Sequence, residues 1–294
     1  MNKEFVDCLL CGKRDFKRFY PSLPFVVRCS CGLVFANPRL TKDAAADFYS
    51  KSYFENHTSH EMGYDNYVSD KELVEKTFRR RLAEIENKWI KKPGKVLDVG
   101  CATGFFLSIA RQMGWEVSGV EISGYCCDYA LREFGLELHQ GFFKEARDFT
   151  PDFDLITMWD YLEHSFTPDE DLRKAHELLK PGGLLALATP DVGSVPAKIF
   201  RENWMGFKEH EHLYYFDKKN LVGLLQAKGF RVLTTTYAGK HISPRFFSKR
   251  LSAYSKILSA AADRIASLPF LADKSFYCNP FDILYVVAQK PPLR

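Results

Sequence analysis

Two hydrophobic periods alternate along the chain. From Lys71 to Trp89, Leu73, Phe78, Leu82, Ile85 and Trp89 recur at near-helical spacing, which predicts a helix. Lys91-Lys92-Pro93-Gly94 ends it. From Lys95 to about Ala188, short apolar runs alternate with helical stretches: Val96–Val99, a helix over Phe105–Met113, then Val117–Val120, Glu137–His139 and Phe153–Met158. Such alternation predicts a parallel sheet with helices on both faces. Gly229–Thr236 and Phe281–Ala288 read as the last two strands. Between them, in an insertion at about 241–277, Phe247, Leu251, Tyr254, Leu258, Ala261 and Ile265 recur at helical steps, as one amphipathic helix. Lys249, Arg250, Lys256 and Arg264 flank its stripe against Asp263. A basic amphipathic helix suits a membrane surface or an anionic partner; packing on the core or on another subunit is the expected use.

Composition narrows the class. Of 294 residues, 46% are apolar and 27% charged, as in a soluble globular protein. No run approaches the roughly 18 apolar residues of a membrane span, and the polar start Met-Asn-Lys-Glu-Phe-Val-Asp has no signal-peptide core, so a cytoplasmic protein is expected. A net charge of +4 neither demands nor excludes nucleic acid. The pattern sets no oligomeric state.

Four of the eight cysteines are clustered at the start, as Cys8-Leu9-Leu10-Cys11-Gly12 and Cys29-Ser30-Cys31-Gly32. In a cytosolic chain such clustering points to metal rather than disulfides. Each pair precedes a glycine, which permits the tight turn that aims two thiolates at one ion. Four thiolates at Cys8, Cys11, Cys29 and Cys31 make a closed, structural zinc site. It would let some 40 residues fold with little core of their own. Zinc ribbons usually separate the members of a pair by two residues; the second pair here has one.

The segment Val96-Leu97-Asp98-Val99-Gly100-Cys101-Ala102-Thr103-Gly104 carries the candidate chemistry. A buried strand enters a glycine turn and then a helix, the place where ligands bind in open α/β sheets. Gly100 and Gly104 suit a sharp turn close to a ligand. Glu121, ending the next strand, lies roughly 20 residues on, where a ribose-binding carboxylate belongs. A nicotinamide or flavin site wants G-x-G-x-x-G, but Ala102 takes the second glycine's place and Asp98 would face the phosphates. S-adenosylmethionine (SAM) has no phosphate and carries a sulfonium and an ammonium, which suit a carboxylate. The rival reading is an ordinary β-turn-α unit with no ligand.

The ordered motifs resemble those of the class I SAM-dependent methyltransferases. Val96–Gly104 resembles their first motif, Phe153–Met158 their fourth strand, and Leu178-Leu179-Lys180-Pro181-Gly182-Gly183-Leu184-Leu185 the turn before their fifth. Asn203-Trp204 through Glu211-His212-Leu213-Tyr214-Tyr215-Phe216 resembles the segment after the fifth strand in a bacterial branch. That branch includes ubiquinone-type O-methyltransferases and enzymes of sugar and secondary metabolism. The resemblance implies a Rossmann-like, doubly wound α/β fold with a seven-stranded sheet, its last two strands an antiparallel hairpin. A zinc-ribbon-like segment (1–40) and a helical lid (41–92) would precede the SAM-binding core (93–294), with Tyr64 and Tyr67 as lid contacts or packing aromatics. Asp98, Gly100, Ala102, Gly104, Glu121, Ile122 and Trp159 would line the SAM pocket, Cys101 through its backbone. Gly141-Phe142-Phe143 would form the adenine side, where relatives usually carry an acidic residue in place of Phe142. Trp159-Asp160-Tyr161-Leu162-Glu163-His164 is similar to an E-x-x-E-H motif that holds a divalent ion in some O-methyltransferases, with Asp160 replacing the first glutamate. His164 is therefore a candidate base or ligand, with Asp160 and Glu163 beside it. His212 matches the family's Glu-His-Leu element and is a second candidate base; His210 reads as a surface residue.

The expected function is methyl transfer from SAM to a small-molecule acceptor, a sugar or other biosynthetic intermediate, at oxygen or carbon. An N-terminal zinc knuckle also precedes some ribosomal-RNA methyltransferases, so a ribosomal-RNA or tRNA enzyme is the alternative. The absence of a dense Lys/Arg run in the knuckle disfavours nucleic acid. A SAM-binding protein without turnover is a third reading.

Overall fold

The computed structural model describes residues 2–42, 71–209, 211–251, 256–268 and 274–292. Tyr64, Tyr67, His210, Tyr254 and positions 43–70 of the expected lid lie outside the described residues.

The N-terminal segment consists of short strands: β1 (Lys3–Glu4), β2 (Phe16–Arg18), β3 (Val26–Cys29), β4 (Val34–Ala36) and β5 (Arg39–Leu40). β1 pairs with β5, and β2, β3 and β4 form an antiparallel ladder. Helix α1 (Lys71–Lys88) follows and buries Val74, Phe78, Leu82 and Ile85 along one stripe. Burying each such aliphatic or aromatic side chain contributes about 1.5–3 kcal/mol relative to exposure.

The core then runs β6 (Lys95–Val99), α2 (Phe105–Gln112), β7 (Glu116–Glu121), α3 (Gly124–Phe134), β8 (His139–Gln140), β9 (Phe153–Trp159), α4 (Pro168–Leu178), β10 (Leu179–Pro190) and α5 (Val195–Phe200). After it come β11 (Tyr214–Tyr215), α6 (Lys218–Ala227), β12 (Arg231–Tyr237), β13 (Lys240–Ile242), α7 (Pro244–Leu251), α8 (Lys256–Ala266), β14 (Phe276–Cys278) and β15 (Ile283–Gln289). Seven strands form one sheet in the order β12-β15-β10-β9-β6-β7-β8. β6 to β10 are parallel, and β15 is antiparallel to β10 and β12. The expected Rossmann-like sheet is therefore present. Chain order reverses at β6, between β7 and β9, so a crevice opens at the carboxyl ends of these strands.

Side chains alternate across the sheet with the period of two. Leu97, Val99, Leu185 and Leu187 point to one face, and Val96, Leu184, Ala186 and Ala188 to the other. The second face is covered by α1, α2 and α3 through Phe78, Leu82, Phe106 and Ala130. The first face is covered by α4 and α6, and also by Cys8, Val27, Cys29, Leu33 and Phe35 of the N-terminal segment. Moreover, β11 joins that segment's ladder as a fourth strand, in the order β11-β4-β3-β2. The cysteine segment thus shares its core and its sheet with the large domain.

The insertion differs from the single helix expected over 247–265. The Ser248 hydroxyl donates to the Asp263 carboxylate. In one continuous helix these residues would stand about 22 Å apart at 1.5 Å per residue. The chain instead forms two helices, α7 and α8, which pack on each other. β13 and β14 pair antiparallel and close the base of the insertion. No helix among the described residues is long and apolar enough to cross a membrane.

Candidate functional site

A cavity of about 1000 Å³ opens at the carboxyl ends of β6, β7, β9 and β10. Gly100, Cys101, Ala102 and Thr103 form one wall. The Gly100 and Cys101 amides donate to the Val120 carbonyl at 2.9 and 3.1 Å, which ties the loop to β7. Gly100 has φ +71°, and a Cβ there would meet the Tyr161 ring at 2.6 Å. Gly104 has φ +79°, but it borders Ala130 and Leu136 and stands outside the cavity wall. Its glycine is required by the backbone and by helix packing. The Cys101 thiol is buried against β7 at Gly119. Burial, with Asp98 and Glu121 nearby, pushes it well above the usual thiol range, so it is inert as a nucleophile.

Two buried carboxylates face the same cavity. Asp98 accepts a hydrogen bond from the Thr157 hydroxyl at 2.6 Å. Burial pushes its carboxyl up to about 8, against the pull of Thr157, with Glu121 adding to the rise. A carboxyl held so far from its ordinary range, in a cavity wall, is a candidate functional group. Glu121 accepts from the Ala102 amide at 2.9 Å and the Ser123 amide at 2.8 Å, one on each oxygen. Ile122, Gly141, Phe142 and Phe143 continue this wall, and the Gly141 amide donates to the Glu121 carbonyl at 2.9 Å. The Lys42 ammonium lies 3.9 Å from the centre of the Phe142 ring.

Trp159 closes the floor, stacked on Tyr285 at 6.1 Å, and its buried indole N–H has no hydrogen-bond partner among the described residues. Arg81 of α1 lines the cavity with its guanidinium 5.1 Å from the Trp159 ring, and its buried Nε likewise lacks a partner among the described residues. Sequence reasoning passed over Arg81. Its one signal is an arginine at the edge of the buried stripe of α1, hidden in the run Arg79-Arg80-Arg81.

On the opposite side, Glu163, His164 and His212 bring one ligand atom each within 4.8 Å of the others. Leu162–His164 is a single 3₁₀ turn after β9, and His212 arrives from the loop before β11. Asp160 lines the cavity too, but it precedes the turn at φ +51° and stays outside this cluster. The group brought together is a carboxylate and two imidazoles from two segments. The Glu163 carboxylate accepts from the Thr189 hydroxyl at 2.8 Å. Burial, with Asp160 nearby, pushes its carboxyl up to about 8. His164 Nδ1 meets the Glu211 carbonyl at 3.0 Å and His212 Nδ1 meets the Gly206 carbonyl at 2.9 Å. A carbonyl only accepts, so both rings carry their proton on Nδ1 and their basic lone pair on Nε2. Burial lowers His164 to about 4, with Lys208 contributing. Burial and the neighbouring His164 lower His212 well below its usual value. Both imidazoles are neutral at pH 7. Lys208, which also lines the cavity and lies 3.5 Å from Glu211, was not singled out from sequence.

The four N-terminal cysteines converge outside this cavity. Cys8 and Cys31 sulfurs lie 3.5 Å apart, as do those of Cys11 and Cys29. All four fall within 4.8 Å of one another, and none is in a disulfide. Sulfurs bound tetrahedrally at about 2.3 Å from one ion lie about 3.8 Å apart, so the geometry fits zinc. Gly12 at φ +68° and Gly32 at φ +102° make the turns after each pair. The shorter second pair still brings its sulfurs into the group.

A family model described as "Methyltransferase domain" matches residues 71–235. The ubiquinone biosynthesis O-methyltransferase of Azoarcus sp. (strain BH72) is 36% identical over 101 residues, which cover 32% of this chain and 43% of that protein. A protein of the same name from Coxiella burnetii (strain Dugway 5J108-111) is 27% identical over 176 residues, 56% of this chain and 74% of its own length. A tRNA U34 carboxymethyltransferase of Desulfotalea psychrophila (strain LSv54 / DSM 12343) is 32% identical over 130 residues, 41% of each. The chain spans less than half the length of the Azoarcus relative. Among solved structures, a SAM dependent methyltransferase from Archaeoglobus fulgidus shares the fold, with a TM-score of 0.52 at 17% identity over 76% of this chain and 99% of that one. The family match runs from α1 into β12, more than half of the chain, and the chain belongs to the class I SAM-dependent methyltransferase family.

Proposed function

We propose that the chain moves the methyl group of SAM to a hydroxyl or carbon nucleophile of a small-molecule acceptor, a sugar or other biosynthetic intermediate. The observation that supports this reading is the pairing of two unlike walls across one cavity. One wall has buried carboxylates with no cationic partner among the described residues; the other has neutral imidazoles with directed lone pairs. Asp98 would hold the ammonium of SAM, Glu121 its ribose hydroxyls, and Phe142 its adenine by stacking. Arg81, whose Nε has no partner among the described residues, suits the carboxylate of the methionine part. SAM supplies an electrophilic methyl on sulfur. The acceptor's proton passes to Nε2 of His212 or His164, its freed electron pair forms the new bond to the methyl carbon, and the carbon–sulfur pair stays on sulfur.

A second reading of the same residues has an observation in its favour. Neutral imidazoles whose Nδ1–H groups are taken by carbonyls, with a carboxylate beside them, form the usual donor set and outer support of a divalent ion. Glu163, His164 and His212 would hold it, and it would lower the pKa of an acceptor hydroxyl. A nucleic-acid acceptor is disfavoured, since Arg39, Lys42 and Lys144 in the cavity wall are paired with Glu4, Glu145 and Glu170. Methyl transfer from labelled SAM to nucleotide-linked sugars and phenols, with tRNA in parallel, tests the acceptor class. Labelled tRNA with no labelled small molecule would overturn it.

The cysteine group would hold one structural zinc ion. Metal analysis of the purified chain is expected to give about one zinc per chain. A folded chain free of zinc would contradict this part.

A further inference from the structure

We infer that the cysteine segment is a clamp on the acceptor side of the cavity, so that methyl transfer, more than cofactor binding, depends on the metal it holds. The inference rests on the zinc reading above, and one arm of its test does not.

The stretch that carries His212 is held from two sides. On one side stands the cysteine segment. Tyr214 and Tyr215 pair with Phe35 and Val34 of β4. The Ala36 amide donates to the Leu213 carbonyl at 2.9 Å. The Phe25 amide donates to the Glu209 carboxylate at 3.3 Å, and Arg39 donates to the Tyr214 hydroxyl at 3.2 Å. On the other side stands the candidate catalytic turn. The Leu213 amide donates to the Glu163 carbonyl at 2.8 Å, and the Glu211 carbonyl accepts from His164. His212 thus sits between them, next to the residue bonded to both Ala36 and Glu163.

β4 is three residues long and leans on β3, which ends in Cys29. Strands this short are marginal without a further restraint. Four thiolates on one ion provide it. Without the ion, β4 frays and the loop from Gly206 to Phe216 loses its template. A displacement of about 1 Å at reacting groups is enough to cost roughly a hundredfold in rate. Asp98 and Glu121 stand on β6 and β7, whose partners are strands of the large sheet.

Proline at position 36 separates the clamp from the metal. The Asn37 amide bonds to the Phe25 carbonyl, so the amide of Ala36 points away from β3 and toward Leu213. Ala36→Pro therefore removes a bond of the clamp and leaves all four cysteines. Two preparations are compared with the native chain: the metal-stripped protein and Ala36→Pro, with Ala36→Ser as the control that keeps the amide. S-adenosylhomocysteine affinity, methyl transfer and amide hydrogen exchange are measured on each. The expected result is affinity within about twofold and methyl transfer down tenfold or more. Exchange should rise at residues 211–216 and stay unchanged at 95–121, with Ala36→Pro still holding one zinc and Ala36→Ser like the native chain. Methyl transfer unchanged in Ala36→Pro with exchange raised at 211–216 would overturn the clamp. So would affinity falling in parallel with turnover, which is the mark of general stabilisation. A native chain that carries no zinc would sink the zinc reading, while Ala36→Pro would still decide the clamp.

Discussion

Asp98→Ala is expected to weaken binding of SAM and S-adenosylhomocysteine by about thirtyfold or more. Removing one partner of a buried charge pair typically costs about 2–5 kcal/mol, and each 1.4 kcal/mol is about tenfold in affinity. The pH dependence makes the prediction specific. In the ligand-free chain burial holds the Asp98 carboxyl at about 8, so at lower pH it is protonated, and a cationic ligand must drive the proton off. Affinity should therefore rise with pH, approaching about tenfold per unit, and level off above pH 8. Asp98→Asn should lose both the affinity and the slope. Stability runs the other way. The carboxyl is raised above its unfolded value, so its contribution is fully present below about pH 4 and is lost as pH rises to about 8. Ligand-free Asp98→Asn, which still accepts from Thr157, should then melt above the native chain at pH 8. Near-native affinity in Asp98→Ala, or native affinity flat from pH 6 to 9, would remove Asp98 from the site.

His212→Ala should act on a different step. Methyl transfer is expected to fall by about 10²–10⁴-fold, the range for a positioned base, with S-adenosylhomocysteine affinity within about twofold. His164 and His212 are both held neutral by burial, with His164 at about 4. The rate under saturating SAM should therefore show no titration near the usual histidine value of about 6.5. An equal loss of cofactor affinity would mean that His212 supports the fold of the whole cavity. Full activity would leave proton removal to another group.

The elements that were legible in the sequence are those whose apolar runs are local and continuous. β6, β9 and the second half of β10 are such runs, with glycine before and after β6 and inside β10, and their spacing sets the sheet. The Gly100–Gly104 turn was visible for the same local reason, although the space above Gly100 is filled by Tyr161, a contact 61 residues away that no spacing reveals. The partnership of His164 with His212 was not legible, because it depends on a loop returning from β10 to the turn after β9. Nor was the addition of Tyr214–Tyr215 to the cysteine ladder, since a two-residue strand has no period. The insertion was misread because the apolar stripe of one helix and of two packed helices is the same. Which of them forms is fixed by tertiary packing, with Ser248 against Asp263.

The central claim is that the cavity under the Gly100–Gly104 loop takes SAM. The direct test is calorimetric titration of the native chain at pH 8 with S-adenosylhomocysteine, with NAD as the control. The account predicts a dissociation constant of about micromolar order, near −8 kcal/mol, and no heat with NAD. No binding of S-adenosylhomocysteine, or binding of NAD in its place, would contradict it.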